Sequence, residues 1–356
     1  MPDLAISKID AFALREPVSK RAYTVVRVVT RSGITGYGEC GLVSAADLER
    51  TRAAALGREA TASESIARDL APMPRLRAAI NMAVLDLVGK SAKAPVYQLL
   101  GGPTRAKARA LARLWGNTDA SLAASLERVR AMGFRAVVVP TPVPSARNQG
   151  QTFALASVRR LEEFRKAAPD MDFVLDGDGS LTPGDASTLA AAFERFHLLW
   201  FDEPCRVGNL SAIRKISSET VTPLGFGRSL ERPADFQELL REQVIDVVRP
   251  DLAFYGISQI RRIAALAETY YTAVAPNHLG GPIGTAAALH LAASLPNFFI
   301  QQIPLPEADE DRRMRAELLA QTVEKPVDGY FPLPSEPGLG VTVREQAFEK
   351  YAERIQ

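Results

Sequence analysis

Asp172-Phe-Val-Leu-Asp176-Gly-Asp178-Gly179 and Leu198-Leu-Trp-Phe-Asp202-Glu203-Pro204 decide how this chain folds. Each is a short apolar run that ends abruptly in acid, the pattern of a buried parallel strand whose carboxyl end opens onto a polar site. Between them, Thr182-Pro183 is placed to cap and begin a helix with apolar residues at Ala186, Leu189, Ala190 and Phe193. Strand, helix and strand make one βαβ unit, and in a parallel sheet both acidic ends point at the same mouth.

The unit repeats at a stride of about 26 residues, close to one βα unit. Further strand ends fall at Thr222 to Arg228, Val244 to Asp251, Thr272 to His278 and Phe298 to Gln302. Upstream, Ala108 to Trp115 and Gly133 to Pro140 supply two more, with a helix from about Asp119 between them. Eight strands with intervening helices predict an α/β barrel over residues 104–305. Residues 1–103 follow another pattern, with strands at Ile6 to Leu14, Thr24 to Thr30 and Ile34 to Glu39. Helical spacing follows, best seen at Ile80, Ala83, Val84, Leu87 and Val88, with Gly89 expected to end that helix. This predicts an α+β module. The proline-rich tail, residues 306–356, is expected to return to it and finish in a short helix from Val343 to Tyr351.

A chain of 356 residues, 47% apolar, is long enough for one large core and a smaller module. Its 43 basic and 41 acidic residues are mixed along the sequence, so nothing offers nucleic acid a basic run and a small polar ligand is expected. No apolar run approaches the roughly 18 residues of a membrane span, and no export signal opens the chain, which predicts a cytoplasmic protein. Cys40 and Cys205 fit no metal or redox spacing and read as buried thiols.

Five motifs carry a resemblance: Gly36-Tyr-Gly-Glu39, Asp86-Leu-Val-Gly-Lys90 with Pro95 through Gly102, Asp176-Gly-Asp178-Gly, Asp202-Glu-Pro204, and Pro276 through Ile283. Together they resemble the enolase superfamily in its mandelate racemase and muconate-lactonising branch. The resemblance implies a (β/α)7β TIM-type barrel under an N-terminal α+β capping domain completed by the C-terminal tail. It also implies a symmetric homo-oligomer acting on a sugar acid or similar carboxylate as isomerase or hydro-lyase. In that branch Mg2+ is held by three carboxylates ending the third, fourth and fifth strands, and stabilises the enediolate formed when a proton leaves beside the substrate carboxylate.

Matched position by position, much of that machinery is replaced. The second strand ends in Val138-Val-Pro140, which offers no base where the family commonly has lysines. Asp176 and Asp202 stand at two ligand positions, but the third is Arg228. The histidine position is Asn277, with His278 displaced by one, and Gln302 stands where a glutamate is common. A guanidinium has no lone pair for Mg2+, and at about 4 Å it would repel each unit of ion charge by about 4 kcal/mol at an effective dielectric of 20. Arg228 is therefore expected to replace the cation by pairing with Asp176 and Asp202, leaving Mg2+ weak or absent. The competing arrangement keeps Mg2+ by recruiting Asp178 or Glu203 while Arg228 turns to substrate.

By elimination, catalysis would fall to His278 and Asp251, whose carboxylate could orient the imidazole. Strand alternation argues the other way, turning His278 from the mouth if Asn277 faces it. Arg228, Tyr23, Asn277 and Gln302 are candidate substrate contacts, and Arg147 and Arg249 could also reach the mouth, although solvated or packing roles fit these two and Tyr23. Glu39 reads as structural, and Asp86 with Lys90 as a helix-surface pair. Two readings stand: an enzyme with a rebuilt, metal-free site, and a non-catalytic barrel that binds a carboxylate or sugar ligand.

Overall fold

The structure is a computed structural model that describes residues 2–142 and 151–355; Arg147 lies outside them. Eight parallel strands form the barrel: Lys107–Arg113, Ala136–Pro140, Asp172–Asp176, Trp200–Asp202, Leu224–Phe226, Val247–Val248, Ala273–Val274 and Gln301–Ile303. Each pairs with its sequence neighbour, and the eighth returns to the first. Closure between the seventh and eighth comes from Val274 N donating to Asn297 O (2.9 Å) and Phe299 N donating to Val274 O (2.8 Å). Alternation fills the interior: Leu111, Ala136, Val138, Val174, Trp200, Val247, Ala275 and Ile300 form one inner cluster, while Phe173, Leu175 and Phe201 join the core beneath the helices. The helix between the third and fourth strands begins as its sequence requires, with Thr182 Oγ1 accepting from Asp185 N (3.1 Å) and Pro183 at the first position.

The capping domain has three antiparallel strands, Ile6–Arg15, Ala22–Thr30 and Thr35–Cys40, laid against the helix Pro74–Ala92. That contact is possible because Gly38 has no side chain: a Cβ there would come within 1.9 Å of Ala79 O. The helix does not stop at Gly89. It runs to Ala92 and ends on Lys93 in the left-handed region, because Gly89 is needed inside it, where a Cβ would meet Gly338 Cα at 2.7 Å. Asp86 is likewise not on a surface. Fully buried, it accepts from Tyr37 N (3.0 Å), Leu339 N (2.8 Å) and Lys90 Nζ (2.7 Å), tying strand, helix and tail together.

The tail divides its attachments. Ala352–Glu353 pairs with Leu14 and Ala13 and completes the cap sheet. Earlier, Tyr330–Pro332 pairs antiparallel with Arg109, Ala108 and Lys107, the part of the first barrel strand its barrel neighbours leave free. Among the described residues no helix is long and apolar enough to cross a membrane.

Cap and barrel are joined by a buried acid. Glu39 accepts from Gly281 N through Oε1 and from Gly284 N through Oε2 (3.1 Å), so a cap residue satisfies the first turn of the barrel helix Pro282–Ser294, which has no side-chain cap of its own. Burial pushes the Glu39 carboxyl up to about 7, against the pull of those N–H groups and Arg315. A carboxyl raised in the folded state contributes stability that is present below its unfolded pKa and lost as pH rises through the folded value. Replacing Glu39 with Gln removes this component. Urea unfolding should therefore show the stability of Glu39→Gln minus that of wild type rising between about pH 4.5 and 7 and flattening above; a difference independent of pH would mean that Glu39 is not buried as a titrating group.

Candidate active site

The third and fourth strands bring their terminal acids into register, Asp176 beside Asp202, with Pro140 and Gly225 flanking them at the same level. Both point inward and both are buried. Gly225 makes room for the Trp200 ring, whose Cδ1 would lie 2.3 Å from a Cβ, and Trp200 Nε1 donates to Asp202 Oδ1 (2.8 Å).

Three guanidiniums surround these two carboxylates. Arg228 Nη2 donates to Asp176 Oδ1 (2.7 Å) and Nη1 to Oδ2 (3.2 Å), a bidentate fork, while its Nε stands 3.4 Å from Asp202 Oδ2. Arg113 pairs with Asp176 Oδ2 from the first strand. Arg249, fully buried on the sixth, donates from Nε to Asp202 Oδ1 (3.0 Å), from Nη1 to Ala275 O (2.7 Å) and from Nη2 to Gln302 Oε1 (2.6 Å). Burial alone would raise the Asp176 carboxyl, but the charges of Arg228 and Arg113 outweigh it and hold the group below its ordinary value. For Arg228, burial works against the charge and Asp202 and Asp176 more than restore it.

Above this cluster opens a cavity of about 690 Å³, walled by Asp178, Glu203, Arg206, Arg228, Asp251 and Asn277 among others. A second lobe of about 400 Å³ shares Arg228, Ser229 and Asp251 with it and extends toward Leu42 and Arg75 of the cap. Asp178 (φ +50°) and Glu203 (φ +43°) both occupy the left-handed region, backbone strain of the kind that collects at functional sites. Glu203 Oε1 accepts from Gly227 N (2.7 Å) and Arg228 N (2.8 Å), and burial, helped by Asp202, pushes its carboxyl up to about 7.

Asp251 accepts from Phe254 N (3.0 Å) through Oδ1, capping the helix Leu252–Glu268, and from Asn277 Nδ2 (2.8 Å) through Oδ2. Burial raises its carboxyl against those donors. His278 does not pair with it. With Asn277 facing inward, alternation sends His278 outward, where Nε2 lies 3.1 Å from Gly281 O and 3.2 Å from Thr285 Oγ1 and burial lowers the imidazole to about 4. It lines neither lobe, so it is out of reach of a ligand in the mouth. Tyr23 is also absent from both lobes; it packs against Gly281, its hydroxyl without a hydrogen-bond partner among the described residues. Gln302 sits inside the barrel as a support for Arg249.

Arg113 was not a candidate from sequence, and Arg249 was given no charge-pairing role. Their signal was available in the period-two pattern: Leu111 and Val247 face inward, so the arginines two residues on face inward at the mouth end.

Residues 121–347 match the model for the enolase C-terminal domain-like family, and residues 11–101 that for the mandelate racemase/muconate lactonizing enzyme N-terminal domain. The chain is 30% identical to the D-galactonate dehydratase family member ManD of Chromohalobacter salexigens, over 93% of this chain and 92% of that one. It is 27% identical to the D-xylonate dehydratase of Haloferax volcanii, over 92% and 85%. Among solved structures, an enolase from Agrobacterium radiobacter with bound sodium and L-malate superposes with a TM-score of 0.88 at 27% identity, covering 99% of this chain and 96% of that one. Sequence, fold and the placement of Asp176 and Asp202 at the barrel mouth agree: the chain belongs to the mandelate racemase and muconate-lactonising branch of the enolase superfamily.

Proposed function

We propose that this chain is a sugar-acid dehydratase or isomerase whose site is built around guanidiniums in place of Mg2+. The observation that carries the proposal is the Arg228 fork on Asp176. Both Asp176 oxygens are taken, Oδ1 by Arg228 and Asp178 N, and Oδ2 by Arg228 and Arg113; only Asp202 Oδ2 lacks a hydrogen bond. Mg2+ demands near-octahedral oxygen ligation. One uncommitted carboxylate oxygen beside three cations does not fit the ion, and no cluster of three or more candidate ligands occurs among the described residues.

The names of the relatives, D-galactonate and D-xylonate dehydratases among them, support an acid sugar as substrate. Dehydration removes a proton from the carbon beside the carboxylate; that C–H pair becomes the new C=C bond as the neighbouring C–O bond breaks, and the hydroxyl leaves as water once protonated. Asp251 is the group assigned to this transfer. It walls both lobes, and a carboxyl raised by burial can take the carbon proton and return it to the leaving hydroxyl. Positive charge for the developing enediolate is offered on the cleft wall by the guanidiniums of Arg75, Arg206 and Arg228.

A second reading has its own support. At the inward-facing strand ends Val138, Pro140, Asn277 and Gln302 have no group that exchanges a proton near neutral pH, which suits a barrel that binds an acid sugar without converting it.

Two measurements separate these possibilities. Protein purified without chelator should contain no stoichiometric divalent metal, and calorimetry should detect no tight Mg2+ binding until Arg228→Glu restores a carboxylate and removes a like charge. Stoichiometric Mg2+ held through Asp176 and Asp202 in wild type would refute the guanidinium site. In a screen of acid sugars for keto-acid formation, turnover should survive EDTA and fall about 10²-fold or more in Asp251→Asn, with ligand affinity nearly unchanged. Asn is also a good helix cap, so the variant keeps its fold. Turnover insensitive to this change would remove Asp251 from the mechanism, and binding with no turnover in wild type would establish the second reading.

A further inference from the structure

Resting on the acid-sugar reading, we infer that the ligand's carboxylate is received by Arg75 of the capping domain rather than by Arg228. The charge of the Arg228 guanidinium is already opposed by Asp176, Asp178 and Asp202. An anionic ligand seeking a guanidinium whose charge no carboxylate already opposes must therefore look elsewhere on the cleft wall, where two are found: Arg206 in the larger lobe and Arg75 in the smaller. Neither forms an ion pair among the described residues.

What distinguishes them is how they are held. The Arg206 side chain has no hydrogen-bond partner among the described residues, so a ligand contact would have to order all of it. Arg75 is seated: its Nη1 donates to Leu42 O (3.0 Å), and its Nε and Cζ lie over Gly41, 3.6 and 3.7 Å from where a Cβ would stand. One hydrogen bond fixes the head and leaves four of five N–H donors for a ligand. Preorganisation of this kind reduces the ordering cost of binding.

The two lobes meet at Arg228, Ser229 and Asp251. A carboxylate on Arg75 would thus lead its polyhydroxy chain past Asp251 into the larger lobe. Arg75 is close enough for its charge to lower the Asp251 pKa in opposition to burial, so the two residues already share one electrostatic environment. Glu231 also walls the smaller lobe and disfavours a second anion there, which limits the site to a single carboxylate.

The test compares D-galactonate with its neutral counterpart galactitol by calorimetry, in wild type and in Arg75→Gln, Arg75→Lys and Arg206→Gln. Wild type should prefer the acid by about tenfold or more, the scale of a charge-assisted hydrogen bond. Arg75→Gln should abolish that preference while leaving galactitol binding nearly unchanged, Arg75→Lys should retain part of it, and Arg206→Gln should retain it in full. Using the ratio excludes a packing defect, which would weaken both ligands alike. If Arg75→Gln keeps the preference, or if Arg206→Gln is the variant that loses it, the assignment to Arg75 is overturned while the acid-sugar reading stands. If wild type binds neither D-galactonate nor any other aldonate tried, the acid-sugar reading falls and Arg75 falls with it.

Discussion

Two carboxylates buried side by side at the mouth of a barrel cannot both stay ionised without cations close at hand, and the rest of this site follows from how that demand is met. Asp176 and Asp202 are adjacent in register and almost wholly removed from water. Taking such groups out of water costs several kcal/mol each unless good partners compensate. In this structure the partners are Arg228 from the fifth strand end, with Arg113 from the first on Asp176 and Arg249 from the sixth on Asp202. Each guanidinium is itself anchored by strand geometry, so the charge arrangement is as fixed as the barrel.

The architecture was legible because its signals are periodic. Apolar runs repeated at one stride locate all eight barrel strands, and helix starts such as Thr182-Pro183 follow from capping chemistry. Where single residues depended on the partner element, reading along the chain misled. Gly89 looks like a helix terminator, yet its missing side chain serves the approach of Gly338, some 250 residues away in sequence. Asp86 and Lys90 have the spacing of a surface pair, but Asp86 is enclosed by Tyr37 and Leu339, contacts that no local pattern announces.

The site was legible in part. That Arg228 would meet Asp176 followed from charge and chemistry alone, because a guanidinium among acids has few alternatives. His278 shows how elimination fails: it was singled out because other proton carriers were missing, although alternation along Ala275-Pro-Asn277-His278 already turned it outward. Arg249 shows the reverse error. A fully buried arginine is rare enough to be discounted from sequence, and only the three acceptors supplied by Asp202, Ala275 and Gln302 make it possible.

The outward turn of His278 has a structural use that bears on the site as a whole. Its ring lies among Glu39, Gly281, Gly284 and Thr285, and Thr285 Oγ1 donates in turn to Glu324 (2.7 Å), which with Glu16 binds the buried Arg315. Arg315 belongs to the tail and Glu16 to the cap, while Gly280 O, a third partner of Arg315 (2.9 Å), belongs to the loop that ends the seventh barrel strand. One guanidinium therefore ties three segments of the chain just behind the mouth, as Arg228, Arg113 and Arg249 tie strands within it. The loop that carries Asn277 into the cavity leaves the barrel through this seam, so the position of the cleft wall and the docking of the cap are set by the same buried contacts. A cleft whose smaller lobe is walled by cap and barrel together requires such a coupling: if the cap could shift freely on the barrel, Arg75 and Asp251 would have no fixed separation, and no ligand could be held against both.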